Sequence, residues 1–364
     1  MNVLNIINDL NTGGAEKLLA DTIPFMNKKG IKTDLLLLNG HAYPFLKQLE
    51  SYKGCKIYKL SKGSIYNPIL IFRIIPYLRK YDLAHVHLFP CLYYVAVAKL
   101  ISFSKIKLVF TEHSTNNQRR GVMLYRWTDN IIYRQYHTII TISTEVKLFL
   151  KRHLGKLPTP FKTINNGVEI EKFQQAKPAK RNNFGIQDDQ NIIIHVARFT
   201  PQKDPATLVR AIPYLKQPAT VLFVGKGVEM ESVKNLVSEL GLEGSVQFLG
   251  LRNDIPELLK MADVAVLSSN HEGLSLSSLE AMASGTPLVA SSVTGLKNLV
   301  HGAGILFRHK DEIDLAEKID ILLNDTKLYQ DTVANGAKRV QKYTLQAMVE
   351  SHIALYKDQC TNRN

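Results

Sequence analysis

The chain has 364 residues, which is enough for two ordinary domains. An apolar fraction of 45% and a charged fraction of 21% are typical of folded globular proteins, so the composition excludes a disordered chain. The three cysteines (Cys55, Cys91 and Cys360) form no C-x-x-C pair, which argues against a disulfide framework or zinc site and favours a reducing compartment. The net charge is +14, and residues 1–168 hold 24 lysines and arginines against 9 acids, so the excess positive charge lies in the first half.

Short apolar strands alternate with helices along the first half of the chain. The predicted strands are 3–7, 32–38, 83–87, 106–111 and 138–142. The predicted helices are 14–27, 69–81, 92–103 and 125–136. This alternation is typical of a parallel sheet that is covered by helices on both faces.

A polar stretch at 169–190 interrupts the alternation and is interpreted as an interdomain linker. The pattern then restarts, with predicted strands at 191–197, 220–224, 246–249, 264–267 and 287–290. The sequence therefore predicts an α/β protein of two doubly wound, Rossmann-like domains that face each other across a cleft. The expected boundaries are 1–170 for the first domain, 171–345 for the second, and 346–364 for a C-terminal helix that packs back on the first domain.

The N-terminus has no basic start and only a short apolar run, which differs from a signal peptide. No stretch reaches the ~18–20 apolar residues that a membrane-spanning helix needs. We therefore expect a cytoplasmic protein, with the option of peripheral binding at the inner face of the cytoplasmic membrane.

The most informative motif runs from residue 271 to 287 and reads HEGLSLSSLEAMASGTP. Gly273 allows a tight turn after the strand at 264–267, and a helix is predicted to begin near Ser275. The first N–H groups of such a helix are unpaired and lie at its positive end, which suits a diphosphate. Glu272 and Glu280 flank this helix start. Taken alone, two carboxylates at this spacing are equally well explained as an ordinary surface helix.

Two further loops follow strands. Arg198 and Lys203 lie five residues apart after the first strand of the second half, so both could converge on one anion, although two solvated loop cations are the simpler reading. Gly13 and Gly14 follow the first strand of the chain, where paired glycines let the backbone approach a ligand. They do not form a G-x-G-x-x-G fingerprint, and a plain structural turn is the alternative.

Taken together, these motifs resemble the retaining glycosyltransferases of family 4, which have the two-domain GT-B fold. The resemblance rests on Arg-x5-Lys, EGL-x5-EAMA-x-GTP, the N-terminal GGAE, NNGV at 165–168 and FLG at 248–250. It covers essentially the whole chain and is densest over 192–300. Leu274 departs from the pattern, because many members have an aromatic residue there.

The resemblance implies a role for each matching position. Glu272 would contact the transferred sugar, Glu280 the ribose, and Arg198 with Lys203 the diphosphate. His113, at the end of a first-domain strand, would lie near the donor sugar. The remaining donor-binding positions implied are Gly13, Gly14, Gly225, Leu251, Gly273, Leu274, Ser275 and Leu276. His85 and His87 would point to one side of their strand, where a structural role and an acceptor role are equally open.

The expected reaction is sugar transfer from a nucleotide-diphosphate sugar to a glycan or lipid-linked acceptor, with retention of the anomeric configuration. We expect no cofactor and no metal, because no Asp-x-Asp site stands at a strand end and cations with helix N–H groups can stabilise the leaving diphosphate. A nucleotide-sugar epimerase of related fold is the alternative within enzymes. A basic nucleic-acid-binding protein is the alternative outside them, but no nucleic-acid-binding module is present.

The basic first half also predicts an anionic membrane surface as a partner. Aromatic and basic residues occur together at Tyr125, Arg126 and Trp127, with Arg119 and Arg120 just before them. An apolar stretch at 65–81 is flanked by further cations. Such combinations favour the headgroup level of anionic bilayers, whereas a solvated basic surface with buried aromatics is the simpler alternative.

Overall fold

The computed structural model of the protein describes residues 1–114 and 123–361. The chain divides into two compact units. The first domain comprises residues 1–166 together with the C-terminal segment from Leu345 onward, and the second comprises residues 167–344. Val168 N–H donates to the Tyr343 carbonyl at 2.9 Å, so the two ends of the second domain lie side by side. The sequence prediction places the same divisions at 170/171 and 345/346.

The first domain is built on a seven-stranded parallel sheet with the order β3-β2-β1-β4-β5-β6-β7. Its strands are β1 (Asn2–Ile7), β2 (Lys32–Asn39), β3 (Ile57–Ser61), β4 (Leu83–His87), β5 (Lys107–Glu112), β6 (Thr138–Thr141) and β7 (Phe161–Thr163). In the central strand, Ile6 is in register with Leu36 on one side and Val86 on the other. The apolar strands predicted from the sequence are buried because helices cover both faces of this sheet.

Two helical layers cover this sheet. The helices of the first domain are α1 (Gly14–Lys28), α2 (Pro44–Ser51), α3 (Ile69–Leu78), α4 (Cys91–Ser102), α5 (Met123–Tyr133), α6 (Thr144–Leu154) and, at the C-terminus, α15 (Leu345–Thr361). Leu4 and Ile6 belong to the core packed by α3 to α6, whereas Ile7 and Leu35 belong to the core packed by α1 and α2. Helix α15 lies against α1.

The second domain has a six-stranded parallel sheet with the order β10-β9-β8-β11-β12-β13. Its strands are β8 (Asn191–Val196), β9 (Ala219–Val224), β10 (Val246–Gly250), β11 (Val264–Leu267), β12 (Leu288–Ser291) and β13 (Ile305–Phe307). Its helices are α7 (Ile170–Gln174), α8 (Pro205–Ala211), α9 (Met230–Glu239), α10 (Ile255–Met261), α11 (Leu276–Ser284), α12 (Lys297–Val300), α13 (Glu312–Asn324) and α14 (Thr326–Val340).

Strand order reverses once in each sheet, between β1 and β4 in the first domain and between β8 and β11 in the second. Such switch points leave a crevice at the carboxyl ends of the strands, which is where ligands bind in open α/β sheets. The predicted fold class, two doubly wound parallel-sheet domains, is confirmed. In the part of the chain that the structure describes, no helix has both the length and the apolar character needed to cross a bilayer.

The sequence prediction missed the three short edge strands β3, β7 and β13. Edge strands are paired on one side only, and β3 and β7 contain no fully buried residue, so they lack the apolar run that marked the central strands. The predicted linker at 169–190 is also more ordered than expected. It contains α7, which packs against α10 and α11, and a 3₁₀ turn at Arg181–Phe184.

Candidate active site

Two loops of the second domain leave β8 and β11, the strands that flank its switch point. The loop after β8 carries Arg198 and Lys203, and the loop after β11 carries Glu272. Lys203 Nζ lies 2.5 Å from Glu272 Oε1, and both side chains are largely buried, with exposures of 16% and 6%. Ser269 Oγ donates to the same carboxylate oxygen at 2.7 Å. The carboxylate is therefore held in one orientation by a cation and a hydroxyl.

Arg198 differs from Lys203 in its surroundings. Its side chain is exposed, and its guanidinium makes no hydrogen bond or ion pair with the residues that the structure describes. The sequence placed both cations on one diphosphate. In the structure Lys203 pairs with Glu272, whereas Arg198 is exposed and open to an incoming anion.

Gly225 and Gly227 allow their loop to pack closely against the loop that carries Arg198. A Cβ on Gly225 would lie 2.0 Å from the Ala197 carbonyl oxygen, and one on Gly227 would lie 2.1 Å from the Phe199 carbonyl oxygen. Gly225 also has a φ of +141°, which side-chain-bearing residues rarely adopt. In the described residues, Gly225 therefore packs against the protein backbone at Ala197. Leu251, the other predicted residue of this region, follows β10 and is 38% exposed.

The N-terminus of α11 directly follows Glu272, Gly273 and Leu274. Ser275 caps the helix, because its side chain accepts a hydrogen bond from Ser278 N–H at 3.3 Å. The amides of Leu276 and Ser277 make no hydrogen bond to the described part of the chain, so two donors remain at the positive end of this helix. Glu280 lies further along α11 and is only 4% exposed.

The glycine motif of the first domain lies at the start of α1. Gly13 is the N-cap residue and Gly14 is the first helical residue. Gly13 is buried and Gly14 exposed. A Cβ on Gly13 would lie 2.0 Å from Glu16 Oε2, so the helix's own first-turn carboxylate occupies the space beside Gly13.

His113 belongs to a group of four histidines in the first domain. His113 Nε2 lies 3.1 Å from His87 Nδ1, and the His85 and His87 rings are 4.1 Å apart. The His352 ring on α15 is 5.5 Å from that of His85. Burial lowers the pKa of His113 to about 3 and that of His352 to about 4, and it holds the pKa values of the other two well below their usual range. All four rings are therefore neutral at pH 7.

Hydrogen bonds tie this histidine group to the sheet and to α15. His85 bonds to Tyr356 Oη at 2.5 Å and to Thr111 Oγ1 at 2.6 Å, and His87 Nε2 lies 3.3 Å from Asn5 Oδ1. A cavity with about 20 Å³ of space adjoins the group, which is room for one water molecule. The His85 ring is buried and both of its nitrogens are engaged, which favours a structural role over an acceptor role.

Within residues 1–114 and 123–361, no group of three or more His, Cys, Asp or Glu side chains is arranged to hold a metal ion. The Glu272 carboxylate is contacted by the lysine Lys203 and the serine Ser269, side chains of the kind that bind anions and sugar hydroxyls.

Comparison with known proteins identifies the family. A model described as "Glycosyltransferase Family 4" matches residues 12–172, and one described as "Glycosyl transferases group 1" matches residues 176–339. An uncharacterised glycosyltransferase of Methanocaldococcus jannaschii is 30% identical over 76% of this chain and 75% of its own length. The chain belongs to glycosyltransferase family 4.

Two further relatives of this glycosyltransferase carry informative names. The UDP-Gal:α-D-GlcNAc-diphosphoundecaprenol α-1,3-galactosyltransferase of Escherichia coli is 29% identical over 78% of this chain and 77% of its own. The Anabaena protein HepE, whose crystal structure contains UDP-glucose, superimposes with a TM-score of 0.87 at 22% identity, over 98% of this chain and 100% of its own. This structural likeness supports the GT-B fold.

The sequence prediction missed several neighbours of the candidate site residues. Ser269 orients Glu272, and Gly295, with a φ of +88°, lets its loop pack so closely that a Cβ would lie 2.1 Å from the Glu272 carbonyl oxygen. The glycosyltransferase also buries Glu112 beside His113, where it accepts a hydrogen bond from Tyr133 Oη at 2.9 Å. A serine or a lone glycine carries no distinctive sequence signal, so these contacts became visible only in the fold.

Proposed function

We propose that this glycosyltransferase transfers a sugar from a nucleotide-diphosphate sugar to a lipid-linked or surface-polysaccharide glycan, with retention of configuration and without a divalent metal. The observation that carries the proposal is the buried Lys203–Glu272 pair beside the N-terminus of α11. It combines a cation, an oriented carboxylate and free helix amides in one place. These are the groups needed to hold a sugar at one end and a diphosphate at the other.

Each group has one part in the proposed reaction. Arg198, Lys203 and the amides at the start of α11 bind the diphosphate, and Glu272 accepts hydrogen bonds from hydroxyls of the transferred sugar. Glu280 holds the ribose. In the first domain, His113 is assigned to the donor sugar, where its neutral ring can exchange hydrogen bonds with hydroxyls without adding charge.

Charge development explains why these groups accelerate transfer. As the anomeric C–O bond breaks, the diphosphate gains negative charge, and preorganised cations and amides stabilise that charge without having to reorient. One such donor is worth roughly 3–4 kcal/mol in comparable sites. We propose attack by the acceptor on the face that the diphosphate leaves, with the departing phosphate taking the acceptor's proton. This route preserves the configuration at the anomeric carbon.

The acceptor class and location follow from two kinds of support. The E. coli relative is named for a diphosphoundecaprenol-linked substrate, and the HepE crystal contains UDP-glucose. Cys55 and Cys91 are not part of a disulfide, which fits a reducing compartment. We therefore propose a UDP-sugar-type donor, a lipid-linked acceptor, and action at the cytoplasmic face of an anionic membrane.

A panel of nucleotide sugars titrated into the purified protein, followed by product analysis with a lipid-linked glycan, tests this proposal. We expect one donor to bind and its sugar to appear on the acceptor. Release of free nucleotide together with an epimerised sugar, in the absence of acceptor, would instead identify the nucleotide-sugar epimerase.

A further inference from the structure

The helices α3 to α6 form one layer on a single face of the first-domain sheet. Their buried side chains share one core, to which each contributes, among them Ile74, Val95, Ile132 and Leu150. Neighbouring helices in this layer touch in the order α3, α4, α5, α6. Since one side of each helix packs on the sheet, the opposite sides face away from it and make up one continuous outer surface.

This outer surface is unusually apolar. Of the seventeen large hydrophobic side chains that are exposed in the described residues, eleven lie between residues 66 and 149. They are Tyr66, Ile69, Phe72, Leu100, Ile101, Phe103, Tyr125, Trp127, Ile131, Leu148 and Phe149. Single exposed hydrophobics are ordinary, but a concentration on one layer marks an interaction surface.

The same surface is positively charged. Its exposed cations are Arg73, Arg79, Lys80, Lys105, Arg126, Arg134, Lys151 and Arg152. Within residues 65–114 and 125–156, no acidic side chain is exposed. The acid at the centre of the layer, Asp129, is buried and accepts hydrogen bonds from Tyr93 Oη at 2.5 Å and from His153 Nε2 at 2.7 Å. An approaching anionic surface therefore meets cations without a compensating exposed carboxylate.

The exposed hydrophobics fall into groups at opposite edges of the sheet. A helix that follows a parallel strand begins at the carboxyl edge of the sheet and ends at the amino edge. Tyr66, Ile69, Phe72, Tyr125, Trp127 and Leu148 lie just before or in the first half of their helices, and we call them the strand-end patch. Leu100, Ile101 and Phe103 lie at the end of α4, and we call them the opposite patch.

We propose that the strand-end patch inserts into the interfacial region of an anionic bilayer, with Arg73 and Arg126 on the lipid headgroups. Aromatic rings favour the headgroup level, and basic side chains favour anionic lipid. This docking brings the carboxyl edge of the first sheet, where His113 follows β5, close to the membrane surface. That the acceptor is lipid-linked rests on the proposed function, whereas membrane docking itself does not depend on sugar transfer.

Vesicle flotation measures the docking without any sugar donor. The wild-type protein is mixed with neutral phosphatidylcholine vesicles or with vesicles containing phosphatidylglycerol, at low and high salt. We expect binding to the anionic vesicles only, weakened at high salt because surface charges are screened. Replacement of one cation, Arg126→Gln, should weaken binding roughly fivefold, the equivalent of one well-placed charge near an anionic surface.

A matched pair of double variants locates the surface. Phe72 and Trp127 are 60% and 67% exposed, and Leu100 and Phe103 are 47% and 90% exposed, so neither pair is part of a core. Phe72→Ser with Trp127→Ser should weaken vesicle binding at least about tenfold, since both rings lose apolar burial in the bilayer. Leu100→Ser with Phe103→Ser should bind within about twofold of wild type. Circular dichroism and nucleotide-sugar binding should be unchanged in both.

Three results would overturn the docking proposal. One is equal binding of the wild type to neutral and anionic vesicles, and another is no binding to either at low salt, which would favour a soluble acceptor. The third is a loss in the opposite-patch variant as large as in the strand-end variant. Each leaves the proposed donor chemistry intact, because donor binding is measured separately in the same proteins.

Discussion

Breaking the Lys203–Glu272 pair should damage stability and catalysis in different ways. Glu272→Ala removes a carboxylate that is 6% exposed and leaves a lysine, 16% exposed, without its ion-pair partner. Removing one partner of a buried pair costs about 3–5 kcal/mol, because the remaining charge stays desolvated. We expect the free energy of unfolding of the second domain to fall by about this amount.

The second domain supplies its own control for this change. Lys234 and Glu231 form an ion pair of 2.8 Å on α9, but their side chains are 42% and 78% exposed. Exposed pairs contribute about 0–1 kcal/mol, so Glu231→Ala should change the unfolding free energy by less than about 1 kcal/mol. Urea denaturation of the two variants and of the wild type, followed by fluorescence and circular dichroism, makes the comparison.

Measuring kcat separates the role of the Glu272 carboxylate in catalysis from its role in stability. Glu272→Gln keeps the shape of the side chain and can still accept the Ser269 hydroxyl, but it loses the charge that holds Lys203. We expect kcat to fall on the order of a hundredfold or more, as for a lost transition-state contact, while affinity for the nucleotide diphosphate is kept or increased because Lys203 is released. Glu272→Gln with wild-type kcat, or Glu272→Ala as harmless to stability as Glu231→Ala, would refute this reasoning.

Three further predictions follow from the candidate site and the histidine group. EDTA should leave transfer largely intact, and magnesium-reversible loss of activity would contradict metal independence. Arg198→Ala should reduce donor affinity and rate together, whereas Glu280→Ala should mainly weaken nucleotide binding, both measured by calorimetry and initial rates. Because folding lowers the pKa of His113 to about 3 and that of His352 to about 4, the unfolded chain binds protons below about pH 6.5 that the folded chain does not. The free energy of unfolding is therefore highest above about pH 6.5 and falls as the pH is lowered. Each such histidine lowers it by about 2 kcal/mol between pH 6.5 and 5. Urea unfolding at both pH values checks this, and a flat profile would contradict it.

Prediction from the sequence was most successful for strands and loops whose pattern is contained within one short segment. The central strands β1, β4, β8 and β11 are rich in apolar residues, and their burial on both faces explains why they could be predicted. Glu272 and Ser275 could be placed beside each other because they are close in the chain and the helix cap has a recognisable pattern.

Contacts between distant segments could not be predicted in the same way. Lys203 meets Glu272 because β8 and β11 are neighbours in the sheet, although their loops are separated by two intervening strands in the sequence. His113 meets His87 because β4 and β5 pair with His87 opposite Thr111. The partner Tyr356 comes from α15, at the far end of the chain. These contacts depend on the tertiary fold, above all on the order of the strands in the sheet, which has no local sequence signature.

We propose that this protein transfers a sugar with retention of configuration, using the Glu272 site. Proton NMR of the product, formed from a single anomerically pure donor and a lipid-linked glycan in anionic vesicles, tests it most directly. We expect a new glycosidic linkage with the donor's anomeric configuration, absent when Glu272→Gln replaces the wild type. An inverted linkage, or equal product from the Glu272→Gln variant, would contradict it.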